Sequence, residues 1–309
     1  MNVLFPVRFN AFYKLVEKVF NLIRFPLRFS NFSKRMYGNF THVFLLVYKE
    51  KLNLSYRRFV QVCDEVNLQR MLCIKRIPHY STLCKFLEKV DKTVFERMVR
   101  ACRKLLNLKG IEASIDGTGF SNTNPSHYYQ HRIDGVRVKN YTNAVFLTDN
   151  KTKLILNLKT HSDKQHETID FIPLVKNLSK SLKTILADKA YDSQANREYC
   201  WQNNIDNHIP IRQYKSEQHL YGRKITYKNG HRRKATKLFN PTTYKRRALI
   251  ETVNSSIKRT LGSWVCNRKP NNQQKNVTIK ALAYNIEHTV RLIKINIFIK
   301  LQTFQQSHN

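Results

Sequence analysis

The sequence predicts an α/β fold in which a mixed sheet flanked by helices is preceded by an α-helical region. Three observations carry this expectation. The first 109 residues place apolar side chains at helical spacing. After Lys109-Gly110, three short strand patterns follow one another. Beyond them, helical and strand patterns alternate, as in a sheet with helices packed on its faces.

In the first region Phe12, Leu15, Val16, Val19, Phe20 and Ile23 recur at helical spacing. Residues 81–107 open with Ser81 as the expected N-cap and carry Leu83, Phe86, Leu87, Val94 and Met98 on one broad stripe, which predicts a single helix. The first strand is expected over 111–120, ending in Gly117-Thr118-Gly119. The next two are expected over 140–148 and 153–160, joined by a hairpin turn at Asp149-Asn150-Lys151. Residues 166–182 return to helical spacing, with Pro173 as a kink. A buried strand over 184–187, a helix over 193–202 and a strand over 208–211 follow. Residues 212–240 read as a basic loop, and long helices are expected over 243–261 and 274–300. This order is the one used by ribonuclease H-like cores. The expected division is a helical, basic region over 1–109, an α/β domain over 110–300 that carries the basic loop, and a tail over 301–309.

Charge sets the partner. Lys and Arg number 55 against 21 Asp and Glu, a net +34, with pI about 10.1. Such an excess repels itself unless a polyanion neutralises it, and each phosphate contact by Lys or Arg releases a counterion. Residues 1–110 hold 22 basic and 7 acidic residues (22 − 7 = +15), and residues 212–260 hold 14 and 2 (14 − 2 = +12). The 41% apolar and 11% aromatic content excludes a disordered chain, and 8 Gly with 8 Pro exclude a collagen-like one. None of the six cysteines forms a CxxC pair or a zinc-binding spacing, which points to reduced thiols in the cytoplasm. The N-terminus lacks an uninterrupted apolar core, so no signal peptide is expected. The best apolar runs, 43–48 and 295–299, are too short to span a bilayer, so no membrane partner is expected. The expected place is the cytoplasm, associated with the nucleoid.

In so basic a chain the acids are informative. Asp116 ends the run Ala113-Ser114-Ile115, Asp188 ends Thr184-Ile185-Leu186-Ala187, and Glu251 follows Ala248-Leu249-Ile250. A carboxylate at the end of a buried strand is costly unless a positive or hydrogen-bonding group meets it. Carboxylates on adjacent strand ends either share a proton or bind a divalent cation. Hard oxygen ligands suit Mg²⁺ or Mn²⁺, and two such ions about 3.5–4 Å apart can clamp the attacking and leaving oxygens of a phosphoryl displacement. On a continuous helix starting near Tyr244, with Thr242-Thr243 as its cap, Tyr244, Arg247, Glu251 and Lys258 would project within about 60° of one another. Glu251 can ligate metal, Arg247 can fork onto a phosphate, Lys258 supplies a point charge and Tyr244 a hydrogen bond to a phosphate oxygen.

The spacing Tyr244-x2-Arg247-x3-Glu251-x6-Lys258 resembles the YREK signature of insertion-sequence DDE transposases. Ile115-Asp116-Gly117-Thr118-Gly119 is similar to that family's first-aspartate strand. Leu186-Ala187-Asp188-Lys189-Ala190-Tyr191-Asp192-Ser193 is similar to its second-aspartate motif, with Ala190 where Gly is usual. The likeness covers residues 75–290, including Pro78-His79-Tyr80-Ser81-Thr82-Leu83. It implies a ribonuclease H-like fold, a metal-binding catalytic triad of Asp116, Asp188 and Glu251, and two Mg²⁺ ions or Mn²⁺. It also implies hydrolysis at the inverted-repeat ends of an element followed by attack of the 3′-hydroxyls on target DNA. Such proteins work as a multimer, here expected to be a homodimer, that synapses two ends of double-stranded DNA. The 62 residues between Asp188 and Glu251 leave no room for a large β-rich insertion. No Trp lies between Trp201 and Trp264, where some relatives hold a flipped base, so Tyr221 or Tyr227 would have to stack instead.

Other residues carry weaker expectations. Tyr221, Arg223, Lys224, Tyr227, Lys228, Arg232, Arg233, Lys234 and Lys237 form a basic loop with interleaved tyrosines, a candidate DNA contact near the acids. Asp192 reads as a helix N-terminal acid or as a partner of Asp188. His161 and His166 read as surface polar residues or DNA contacts, and Asp163 and Glu167 as loop and first-turn acids. Gly117-Thr118-Gly119 is no phosphate loop, and instead lets backbone approach closely after the first aspartate. The N-terminal helices are candidates for reading the inverted repeats. Two alternatives to an active transposase are a catalytically inactive or repurposed DNA-binding protein and a ribonuclease H-like nuclease or resolvase.

Overall fold

The structure, a computed structural model, describes residues 4–32, 36–122, 141–162, 165–212, 235 and 237–306. The chain forms two compact units. One comprises Met1–Leu105, Phe120–Thr142 and Ile257–Asn309, the other Leu106–Gly119 and Asn143–Ser256.

The five-stranded sheet is mixed and flanked by helices, with a helical region ahead of it, as the sequence predicts. Its strands are β1 (Ile111–Ser121), β2 (Tyr141–Asp149), β3 (Ile155–His161), β4 (Leu182–Ala187) and β5 (Asp206–His208), in the order β3-β2-β1-β4-β5. β2 and β3 are antiparallel, and the predicted turn joins them. Asp149 Oδ2 holds that turn by accepting from Thr152 N at 2.7 Å and Thr152 Oγ1 at 2.5 Å. β4 runs parallel to both β1 and β5, in register Ile115↔Ala187 and Ile185↔Asn207. Three consecutive strands followed by two parallel strands reached by crossovers give the ribonuclease H-like order.

The two faces of β1 do different work. Side chains alternate across a strand, so Ile111, Ala113 and Ile115 share one face, and all three are buried in the core with Phe171, Ile185 and Leu174. Glu112, Ser114 and Asp116 share the other face.

Some predicted elements come in pieces. Residues 166–182 form a 3₁₀ turn at Glu167–Asp170, a short helix α7 at Phe171–Val175 and a second 3₁₀ turn at Lys176–Leu178. Pro173 lacks the N–H that would bond the carbonyl of Ile169, so one α-helix cannot run through. α8 (Gln194–Gln202) starts as predicted, with Ser193 Oγ accepting from Asn196 N at 3.2 Å. The helix expected over 243–261 is α9 (Pro241–Lys245) and α10 (Ala248–Leu261), separated by a turn at Arg246-Arg247. Asn240 rather than Thr242 or Thr243 caps α9, its Oδ1 accepting from both of their N–H groups with Pro241 in the first turn.

The helical unit holds α1 (Leu4–Leu22), α2 (Asn39–Lys51), α3 (Tyr56–Glu65), α4 (Leu68–Met71), α5 (Tyr80–Lys89), α6 (Lys92–Leu105) and the long α11 (Pro270–Gln306). The single helix expected over 81–107 is thus α5 and α6. His79, not Ser81, caps α5, and Asp91 Oδ1 accepts from Thr93 N at 2.7 Å where α6 begins. α11 packs against α1, α2, α5 and α6. The sequence gives no hint of the charge cluster inside this packing. Glu50 Oε1 accepts from Lys49 Nζ at 2.6 Å and from Asn276 Nδ2 at 2.6 Å, and Glu50 Oε2 lies 3.2 Å from Lys280 Nζ. All four residues are buried. Burial raises the Glu50 carboxyl, and the ammonium groups of Lys49 and Lys280 more than offset this, holding it below its ordinary value. Removing one partner of such a cluster leaves buried charge uncompensated. Glu50→Ala is expected to destabilise the protein by about 3–5 kcal/mol in chemical denaturation, against less than about 0.5 kcal/mol for an exposed acid such as Glu65→Ala.

Among the described residues all six cysteines are free thiols, and no helix is long and apolar enough to cross a membrane.

Candidate active site

The parallel pairing of β1 with β4 assembles the site. Ile115 and Ala187 are register partners, so the next residues, Asp116 within β1 and Asp188 just past the end of β4, stand side by side, about one inter-strand spacing (~4.8 Å) apart in backbone. Asp188 follows β4, and its Oδ1 accepts from Lys189 N at 2.6 Å as the chain turns into the 3₁₀ segment Lys189–Tyr191.

α10 meets the polar face of β1. Arg246 forks onto Glu112, with Nε–Oε1 at 2.8 Å and Nη2–Oε2 at 2.5 Å. Asn150 Nδ2 donates to Glu112 at 2.8 Å, and Ser114 Oγ donates to Asn150 Oδ1 at 2.7 Å. Arg247 Nη1 lies 3.4 Å from Asp116 Oδ1, while its Nη2 donates to Glu251 Oε1 at 2.7 Å. One guanidinium thus bridges two of the three predicted acids. Asn254 Nδ2 donates to Asp116 Oδ2 at 3.0 Å. Tyr244 also borders the group, with the charges of Arg247, Asp188 and Asp116 all acting on its hydroxyl.

Five of the six core predictions therefore converge in one unit: Asp116, Asp188, Glu251, Tyr244 and Arg247. Lys258 follows Glu251 two turns later on α10, and its ammonium stands 5.7 Å from the centre of the Phe120 ring. Because the helix is broken at Arg246-Arg247, the single wheel drawn from Tyr244 does not hold. Arg247 reaches the acids from the turn, and Tyr244 from α9.

The sequence reading passed over two residues that the fold brings here. Asn254 lies three residues after Glu251 and so shares its helical face, a spacing that would have marked it. Its Oδ1 is buried with no donor among the described residues. Glu167, read as a first-turn acid, arrives through the crossover after β3 and has no sequence signal. Tyr191 Oη donates to Glu167 Oε2 at 2.8 Å, and a Cβ added at Gly117 would run into the Glu167 carboxylate. The close approach expected at Gly117 is real, but the approaching group is this side chain rather than backbone.

Other candidates prove structural. Asp192 is buried, with Oδ1 accepting from Arg197 Nε at 2.8 Å and Oδ2 from Arg212 N at 2.8 Å, and Arg197 goes on to Asn207 and Ile209. His161 Nε2 pairs with the buried Asp170 at 2.7 Å. His166 is exposed. Tyr221, Arg223, Lys224, Tyr227, Lys228, Arg232, Arg233, Lys234 and Asp163 lie outside the described residues, and Lys237 is exposed.

Burial is the first cause that pushes the Asp116 carboxyl up to about 6; the Arg247 cation opposes it, and the charges of Glu167, Glu251 and Asp188 add to it. The site therefore carries more negative charge than Arg247 compensates. The donor set suits a hard divalent cation: carboxylates together with the orphaned Asn254 Oδ1. Among the described residues, no three carboxylate, imidazole or thiol side chains stand close enough as they are to share one ion.

A raised carboxyl costs stability when ionised. Its favourable contribution is therefore present below the unfolded value near 4 and is lost as pH rises through about 6. Without metal, Asp116→Asn is expected to melt above the parent at pH 8, by a few degrees. That gain should shrink as pH falls through about 6 and vanish near pH 4. A pH-independent difference in thermal melts would contradict this charge balance.

Among solved structures, the chain is similar to a piggyBac transposase in a synaptic complex with hairpin DNA, determined by cryo-EM, at 11% identity and TM-score 0.46, over 92% of this chain and 73% of that one. No curated protein matches it. Residues 109–286, more than half of the chain, match the family described as the transposase DDE domain. The match spans every residue assembled above, and the chain belongs to the transposase DDE domain family.

Proposed function

We propose that this transposase cleaves at the inverted-repeat ends of its own insertion element and joins the freed 3′-hydroxyls to target DNA. Asp116, Asp188 and Glu251 are its catalytic, metal-binding residues. The observation that carries this reading is the meeting of Asp116 and Glu251, from a strand and a helix, on a single guanidinium, with Asp188 beside Asp116 on the adjacent parallel strand. A site that holds a cation between its carboxylates in this way is built to bind positive charge.

The carboxylates would hold Mg²⁺, or Mn²⁺, as two ions, which supply charge neutralisation at the phosphoryl group. Asp116 holds a fixed position within β1 and Asp188 one just past the end of β4, and Glu251 comes from the helix. Asn254 orients Asp116 through its amide. Arg247 carries a planar fork of donors matched to a phosphate, and Tyr244 and Lys258 add a hydrogen bond and a point charge for flanking phosphates. In cleavage, the oxygen of water bonds to phosphorus, the P–O3′ bond breaks and the 3′ oxygen takes a proton. In joining, that 3′ oxygen bonds to a target phosphorus, and a target P–O3′ bond breaks in turn. Both steps need the same in-line geometry, so one site serves both.

The net charge of +34 supports double-stranded DNA as the partner, both the inverted repeats and the target. We place reading of the ends in the basic region over 1–109 and further backbone contacts in Tyr221, Arg223, Lys224, Tyr227, Arg232, Arg233 and Lys234, ahead of a catalytic domain over 110–300. A homodimer that synapses two ends, in the cytoplasm and on the nucleoid, completes the proposal.

Incubation with Mg²⁺ and DNA carrying the element's own ends should yield nicks and strand-transfer products on a denaturing gel. Asp188→Asn should lower the rate by about 10³-fold or more, and Arg247→Ala by roughly 10²-fold. Full activity in Asp188→Asn, or no product from the parent protein, would sink the catalytic reading. Lys258→Ala should weaken DNA binding across sequences and reduce the salt slope by about 1.

A further inference from the structure

We infer that Glu167 is a fourth carboxylate of the divalent-metal site, and that Gly117 is glycine in order to admit it. The inference rests on the reading of Asp116, Asp188 and Glu251 as metal ligands and extends that set to a residue outside the sequence motifs.

Three observations converge on it. The Glu167 segment is fastened to the turn after Asp188, where Thr168 Oγ1 donates to Ala190 O at 2.7 Å. Tyr191, fully buried in that turn, donates to Glu167 Oε2 at 2.8 Å and so fixes one carboxylate oxygen. The other oxygen, Oε1, crowds the place where a Cβ at residue 117 would stand, directly after Asp116.

This arrangement has a physical logic. A carboxylate brought next to Asp116 raises local repulsion, so an otherwise unsupported side chain would turn away to solvent. Here a buried tyrosine and a hydrogen-bonded 3₁₀ turn hold it in place. Tyr191 occupies Oε2 and leaves Oε1 against Gly117, the residue directly after Asp116, where it can offer a hard cation a further oxygen donor. Gly117 sits in a strand, where glycine has no side chain to pack and weakens the pairing. It is explained by this single close approach.

The test is calorimetric titration of the whole protein with Mn²⁺, without DNA, so that the readout is binding rather than activity. Glu167→Gln keeps an acceptor for Tyr191 and removes one charge. It should weaken Mn²⁺ binding by about tenfold or more. Gly117→Ala keeps every carboxylate but displaces the flexible end of Glu167, and should weaken binding to a comparable degree. In a Glu167→Ala background the added methyl has nothing to meet, so Gly117→Ala should cause no further loss. Wild-type affinity in either Glu167→Gln or Gly117→Ala, while Asp188→Asn abolishes binding, would overturn the role of Glu167 and leave the three-acid reading standing. Additive losses in the double variant would also overturn it, because Gly117 would then act by another route. If the parent protein binds no Mn²⁺, the metal reading itself fails and this inference with it.

Discussion

The parallel pairing of β1 with β4 is the constraint on which the rest of the site depends. It fixes Ile115 opposite Ala187, and thereby sets Asp116, within β1, beside Asp188, just past the end of β4. Parallel pairing in turn requires a crossover, and here the crossover does more than connect. It supplies the core residues Phe171 and Leu174 and carries Glu167 to the same place. A one-residue slip of β4 would turn every one of its side chains to the opposite face of the sheet and separate the two aspartates. The apolar core therefore enforces the register that the chemistry uses.

Charge is managed differently in the two units. In the helical unit, Glu50 lies in the interior with Lys49 and Lys280 around it, a cluster in which cations outnumber the anion. At the acids, the balance runs the other way. Arg247 meets Asp116 and Glu251, yet burial and the neighbouring carboxylates still hold Asp116 near 6. An excess of clustered negative charge is unfavourable in isolation, and it is the condition under which a divalent cation binds well.

The positions of the three acids, Tyr244 and Arg247 were legible in the sequence because each sits beside a local signal: an apolar run that ends in a carboxylate, or a spacing along a helix. The strand order was legible because strand and helix periods differ. Other features were not. The break at Arg246-Arg247 divides a stretch with unbroken helical spacing, and the wheel drawn across it assumed a continuity that the chain lacks. The caps fell two or three residues from their expected places, because His79 and Asn240 offer acceptors that serine and threonine were expected to provide. Asp192, read as a helix N-terminal acid or a partner of Asp188, instead forms a buried bond to Arg197 that ties α8 to the strand beside it.

The sequence by itself determined that the chain is a basic α/β protein with three misplaced acids, since composition, periodicity and spacing are properties of the chain alone. Tertiary structure decided which charges meet. That α11 packs with the N-terminal helices, that Lys280 reaches Glu50 across 230 positions, and that Glu167 meets Gly117 under the hold of Tyr191 are outcomes of folding. Such contacts join residues far apart in the chain. No local pattern encodes them, because the energy that brings the residues together comes from burying apolar surface elsewhere.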